Sequence, residues 1–311
     1  MNRRIKPFLR WQYLFGVVII CFYVGVAITA PYLAPPELGK VFSPYQFVPD
    51  INNHKPAPPQ PGLPLGTVGY ARTSRQINIY YTLVWGTRTA LRFGLLVTLL
   101  AGSFGILFGA VSGYFGGKVN RIMMRVNDAF IAFPLIAGVA FFTSIIPFIF
   151  KPEAPKTLFQ SILFLLFDKP LMLGFIFFSW MPYARITNIM ALRIKETLFI
   201  QAAKAMGAGH LRILFRHFIP HIVSPAIVLA ARDVGAFVLL QATFTFIGLG
   251  GDSEWGAILI FGQFWIINPG GNIFQRWWVF LPAALVLISF GIGWNLLGDG
   301  LNEWMNPRIS Q

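Results

Sequence analysis

The sequence predicts an all-α polytopic integral membrane protein of about six transmembrane helices, and three observations carry that prediction. Of 311 residues, 56% are hydrophobic and 12% charged, whereas a soluble domain carries about a quarter charged residues. The apolar residues come in long uncharged blocks rather than in alternating or helical stripes, which suits a bilayer better than a soluble core. The lysines and arginines behind the net charge of +14 cluster at the ends of those blocks. No continuous basic stripe runs along the chain, which argues against a nucleic-acid partner. The single cysteine, Cys21, excludes an intrachain disulfide.

Five blocks are clean: Leu14–Ala30, Phe93–Phe115, Ala129–Phe150, Val234–Gly251 and Trp277–Gly298, each of 17 to 23 residues. A helix needs roughly 20 to cross the hydrocarbon core. The sixth crossing runs either from Leu171 to about Met190, with Arg185 snorkelling, or from near Leu158, tolerating Asp168 and Lys169. The first is preferred, because Trp180 and Tyr183 then mark an interface. Leu158–Phe167 becomes a non-spanning segment on the outer side. Basic residues precede the first block as they would a signal peptide. That block is longer than a signal core, however, and Pro31 follows Ala30, so it reads as a retained anchor.

Residues 31–64 contain ten prolines and little periodicity, the pattern of an extended loop, poor in helix and without a core of its own. The chain thus divides into a tail with the first helix (1–32), a proline-rich extracytoplasmic loop (33–84) and a transmembrane domain (85–311). No internal repeat is visible. With the N-terminus inside, fourteen of the lysines and arginines fall on inner segments, most within a few residues of a helix end. Of the ten on outer segments, six are spread over the long 33–92 loop, whose length weakens its vote. Both termini and residues 193–220 are therefore expected in the cytoplasm.

That inner segment is unusual. Leu198 to Met206 are good helix formers, and Gly207 stands where a glycine ends a helix. After a Gly-Ala-Gly turn, Leu211, Leu214, Phe215 and Phe218 fall at i, i+3, i+4 and i+7, one apolar face, with Arg212 and Arg216 on another. Pro220 suits the first turn of the next crossing. A connector with snorkelling cations accounts for the arginines. It does not account for Ala202 and Ala203 beside a glycine break, where small side chains let another protein's surface approach.

Gln201-Ala202-Ala203-x-x-x-Gly207, followed by Ile213, His217 and Pro220, resembles the cytoplasmic signature of permease subunits of ATP-binding-cassette importers, whose consensus reads Glu-Ala-Ala-x-x-x-Gly. The ending "RILFRHFIP" looks like the dipeptide and oligopeptide branch. "AGSFGILFGAVSGYFGG", "MRVNDAFIAFP", "SWMPYARI", "FTFIGLG", "EWGAIL" and "NLLGDGLNEWMNPR" agree with it, over roughly residues 85 to 308. Gln201 departs from the family's glutamate. The outer-loop pattern is degraded to "GTVGYARTSRQ", and the stretch between the third and fourth helices is longer than the family's. The resemblance implies a prokaryotic inner-membrane protein forming half of a pathway for peptides or similar solutes. It also implies a second permease subunit, two cytoplasmic ATPase subunits and an extracytoplasmic solute-binding protein. Glu196, Gln201, Ala202, Ala203 and Gly207 would contact the ATPase, while Ile213, His217 and Pro220 would fix the second helix and the re-entry angle.

Catalysis by the chain itself is not expected. The nearest approach to a phosphate-binding loop, "SGYFGGKV", has Ser112 at the first glycine position and Val119 where a magnesium ligand belongs. His217 and His221 have a metal pair's spacing, but with Glu196 as the one local carboxylate the ligands are too few for a closed site, and no metal or cofactor is expected. Arg232 and Asp233 are the notable charges, about a dozen residues into the fifth helix if it starts near Pro220. Intramembrane charges are costly and face a partner or a cavity, so each either meets another helix or lines a solute path. Asp128 and Asp299, at helix ends, suit caps or interhelical bonds. A secondary transporter working alone would use Arg232 and Asp233 for ion coupling, but the missing repeat disfavours it. A non-transporting scaffold would need no such charges.

Overall fold

Backbone in hydrocarbon has no water to bond with and must satisfy its own N–H and C=O groups, and this chain does so with helices. The computed structural model describes residues 7–36, 43–48, 55–69, 75–149, 169–266 and 273–305. In order these form α1 (Pro7–Leu33), β1 (Phe47–Val48), β2 (Thr67–Gly69), β3 (Gln76–Asn78), α2 (Ile79–Phe115), α3 (Gly117–Ile131) and α4 (Leu135–Ile149). They continue as α5 (Pro170–Phe178), α6 (Met181–Ile194), α7 (Leu198–Ala205), α8 (His210–Arg212), a π-helical turn (Ile213–Phe218) and α9 (Ile219–Ile222). The last elements are α10 (Ser224–Ile247), α11 (Glu254–Ile266), a 3-10 segment (Ile273–Val279) and α12 (Leu281–Met305). The chain forms two compact units, Met1–Gly94 with Gly235–Leu296, and Leu95–Val234 with Leu297–Gln311.

Four of the described helices are long and apolar enough to cross a membrane, or five if α3 and α4 together count as one span. Several block boundaries read from the sequence need correction. The block Ala129–Phe150 is not one helix: α3 and α4 meet at a bend of 82°, placed by Pro134, which cannot continue a helix. The stretch Leu171–Met190 is likewise two helices, parted at Ser179 and Trp180 just ahead of Pro182. The alternative start near Leu158, and the segment Leu158–Phe167, lie outside the described residues. Charged residues that interrupted other blocks sit inside helices instead. α2 begins at Ile79 rather than Phe93, and the Arg88 guanidinium lies 5.4 Å from the centroid of the Trp85 ring. The expected domain limit at residue 85 falls within that helix.

In the first unit a small sheet forms ahead of α2, most of it beyond the proline-rich residues 31–64. β1, β3 and β2 pair antiparallel in that order, with Val68 and Ile77 fully buried. The Thr67 hydroxyl donates to Gln76 Oε1 within this sheet. Only β1 lies among the prolines, between Pro44 and Pro49, and it is two residues long; β2 and β3 follow Pro64, the last proline before α2. The Trp85 indole N–H donates to the Ala34 carbonyl at 2.9 Å, which ties α1 to α2. Tyr23 of α1 donates to the Val286 carbonyl at 3.0 Å and packs on Phe290.

The second unit is built on close helix contact. Gly102, Gly105, Gly109 and Gly113 line one face of α2. A Cβ at Gly105 would stand 2.3 Å from the Trp180 carbonyl oxygen, and one at Gly109 2.3 Å from that of Ala184. At Gly113 it would meet the Ala191 Cβ at 2.3 Å. All three neighbours lie along α6 or at its cap, so the small-residue spacing of α2 is used within the chain. Asn188 Nδ2 then donates to Ser112 Oγ at 3.0 Å and to Asn120 Oδ1 at 2.6 Å, joining α6, α2 and α3 through buried polar atoms. Replacing Gly109 with Ala should cost about 1–3 kcal/mol by overpacking. Thermal unfolding of the purified chain in detergent checks this, with Gly117→Ala, whose Cβ has open space, reporting the backbone strain of a positive φ without a clash.

Candidate functional site

Two features of the second unit concentrate the chemistry: the helical elbow between α6 and α10, and the charges on α10. α7 ends in a closed glycine motif. Gly207 has φ +75, its N–H bonds to the Lys204 carbonyl, and the Ala208 N–H bonds to the Ala203 carbonyl at 3.1 Å. That pair of bonds satisfies carbonyls the helix end would otherwise leave free. The Gln201 side-chain amide donates to the Glu196 carbonyl at 3.1 Å, so Gln201 and Glu196 sit together at the start of the elbow.

The second helix of the elbow departs from the expected α periodicity. Leu211 and Phe215, expected on one apolar face with Leu214 and Phe218, are 72% and 57% exposed, while Ile213, Leu214, Phe218 and Ile222 are buried. The turn 213–218 is π-helical, and its wider i→i+5 pitch carries Phe215 off the face that a regular helix would give it. The widening precedes Pro220, which offers no N–H and whose ring would clash with the carbonyl four residues back. Pro220 therefore belongs to the short α9, and α10 starts after Val223, at Ser224.

The elbow has its own apolar core of Ile200, Ala203, Ile213, Leu214, Phe218 and Ile222, with Ala110, Tyr114 and Ala191 from α2 and α6. The expected contact residues thus separate into two groups. Glu196, Gln201, Ala202 and Gly207 are exposed. Ala203 and Ile213 point into this core, so the smallness of Ala203 serves internal packing rather than an outside surface. His217 is partly buried and accepts, through its backbone carbonyl, the Nδ1–H of His221 at 2.7 Å. Leu198 and Met206, which the sequence reading passed over, are each 82% exposed beside Ala202. Their signal in the sequence was an apolar side chain at either end of a helix already suspected of meeting a partner.

On α10, Arg232 and Asp233 lie about 12–14 Å along the axis from Ser224, nearer its start than expected. Consecutive residues point about 100° apart on a helix, and these two find different partners. Arg232 Nη2 donates to Asp299 Oδ1 of α12, a pair left half-exposed within this chain. Its approach needs Gly298, where a Cβ would lie 2.5 Å from Arg232 Cγ. Asp233 Oδ2 accepts from the hydroxyl of Tyr183 at 2.6 Å, and that ring is fully buried against the glycine face of α2. Asp128 accepts from Arg185 Nη2 at 3.1 Å, across α3 and α6. Each of these aspartates bonds another helix.

The fold and this site define a polytopic membrane protein that presents a short, glycine-ended helix on an elbow with a packed underside. Residues 105–311 match the family described as binding-protein-dependent transport system inner membrane component, and the chain belongs to that family. It is a permease subunit of an ATP-binding-cassette importer, with ATP hydrolysis residing in separate subunits. Among its relatives, a dipeptide transport system permease protein of Haemophilus influenzae is 28% identical over 96% of this chain and 91% of its own length. A probable D,D-dipeptide transport system permease protein of Escherichia coli is 28% identical over 74% of this chain and 70% of its own. An oligopeptide transport system permease protein of Bacillus subtilis is 25% identical over 94% and 85%.

Replacing Tyr183 with Phe leaves the partly buried Asp233 carboxylate without this donor and should cost about 1.5–3 kcal/mol. Thermal unfolding of the purified chain checks this. Asp233→Asn, which retains an acceptor, should lose less.

Proposed function

We propose that this chain forms half of the transmembrane pathway of an importer for dipeptides or oligopeptides. Its partners are a second permease subunit, two cytoplasmic ATPase subunits and an extracytoplasmic solute-binding protein. The peptide class rests on relatives whose names state dipeptide, D,D-dipeptide, glutathione and oligopeptide transport. Both termini and the elbow lie in the cytoplasm, as the lysine and arginine distribution supports. The loop 33–84 lies outside, and residues 85–311 form the transmembrane domain.

One observation carries the coupling role. α7 presents Gln201 and Ala202 to the exterior between exposed Leu198 and Met206, while Ile200 and Ala203 root it in a buried core. An outer apolar face on a braced helix suits insertion into a cleft of a separate protein, and the brace lets movement pass inward. Nucleotide-driven displacement of the ATPase then biases the membrane helices between two arrangements through that helix. Gln201 offers a neutral hydrogen bond where the family's glutamate offers a charge. The exposed Arg232–Asp299 pair lines the solute path and suits the two charged ends of a peptide.

Purification in mild detergent should bring down ATPase chains in a fixed ratio. Ala202→Trp, which fills the approach surface without touching the elbow's core, should reduce that recovery about tenfold or more, as loss of a central contact does. Recovery and ATP-powered uptake unchanged after scrambling residues 201–207 would refute the coupling assignment. Arg232→Leu should abolish uptake while the complex still assembles, and unchanged uptake would place the pair outside the path.

A further inference from the structure

The elbow packs on α2 and α6, and several of its polar contacts gather at the last turn of α2. Tyr114, one residue from the end of α2, is 4% exposed and belongs to the same core as Ile200, Ala203, Ile213 and Phe218. Its ring stands edge-on to Phe218, with centroids 5.4 Å apart. The Tyr114 hydroxyl shares a hydrogen bond with His210 Nδ1 at 2.8 Å, and the Lys204 ammonium lies 5.3 Å from the ring centroid. One residue on, the Phe115 carbonyl accepts from Lys195 Nζ at 3.1 Å. That carbonyl is one of the four a helix end leaves unpaired, and the ammonium sits at the negative end of the α2 dipole. Gly116 makes room for it, since a Cβ there would lie 2.3 Å from Lys195 Nζ.

Three side chains therefore converge on Tyr114 and Phe115: Lys195 from before α7, Lys204 from α7 itself and His210 from after it. Lysines of a plain inner connector would reach water or lipid headgroups. Here both turn to one helix end, and the aromatic ring between them is buried. We propose that Tyr114 is the positioning residue that carries displacement of α7 into α2, so that α7 and the final turn of α2 move as one body. The clamp holds α7 from both of its ends, so α7 cannot slide or tilt without breaking the His210 bond or pulling the ring out of its core. On the far side of the same turn, Ser112 is bonded to Asn120 and Asn188, which extends the moving body to α3 and α6. This proposal rests on the assignment of α7 as the ATPase contact.

The test uses the complete transporter in proteoliposomes, with its second permease, ATPase chains and binding protein, measuring ATP hydrolysis and peptide uptake together. A residue that only stabilised the fold would lower both rates in parallel and leave uptake per ATP unchanged. Tyr114→Phe keeps the ring and removes the bond to His210, and should lower uptake per ATP about fivefold while ATPase chains still co-purify. His210→Ala should match it, and the double variant should add little to either, as expected for two partners in one bond. Tyr114→Ala, which also removes the wedge, should fall further, by about tenfold or more. Uptake per ATP within about twofold of wild type in Tyr114→Phe and His210→Ala overturns the proposal, even where Tyr114→Ala fails to assemble. Undiminished uptake after scrambling residues 201–207 removes the ATPase-contact reading and this proposal with it. An intact ratio in the Tyr114 and His210 variants alone removes only the relay.

Discussion

The second unit depends on one constraint, the absence of side chains along the face of α2 formed by Gly102, Gly105, Gly109 and Gly113. With hydrogen in place of Cβ, the backbone of α6 lies directly on α2, carbonyl oxygens of Trp180 and Ala184 occupying the space a methyl would need. In lipid no hydrophobic force presses helices together, so close van der Waals contact of this kind carries much of the association. It also fixes the register. Asn188 falls opposite Ser112 and Asn120 only because Ala184 and Ala191 are seated against Gly109 and Gly113. Three residues separate the end of α6 from α7, so the position of the elbow follows from where α6 is held.

The elbow is in turn braced rather than draped. Its buried side chains come from both of its arms, and α2 supplies a tyrosine to the same core. The π turn before Pro220 is part of that arrangement, because it lets Ile213, Leu214, Phe218 and Ile222 all reach inward. A regular helix would have presented Leu211 and Phe215 instead. Those two, like Leu198 and Met206, are left exposed on an otherwise basic segment.

The charges of α10 show the second economy of the structure. A helix that crosses lipid tolerates an arginine and an aspartate when each is answered by a polar group on another helix. Asp233 is answered by a buried tyrosine and Arg232 by Asp299, with Gly298 giving the arginine stem room. The two pairs differ in setting: the tyrosine pair lies against the packed α2 face, whereas the arginine pair is left half-open to its surroundings.

The sequence by itself determined the helical membrane class, the elbow with its glycine stop at Gly207, and the family signature around Gln201, because these depend on apolar run length, local capping and residue identity. It could also place Arg232 and Asp233 as charges needing partners. Helix limits were legible only in part. Reading blocks between charges cut α2 short at Phe93, since a charge with a partner does not end a helix, whereas the fifth helix, expected from near Pro220, starts at Ser224. The inward turn of Ala203, the exposure of Phe215 and the meeting of Lys195, Lys204 and His210 at Tyr114 were decided by the tertiary structure alone. Each depends on contacts between residues far apart in the chain, or on a helix pitch altered by a proline, and periodicity within one segment carries no record of either.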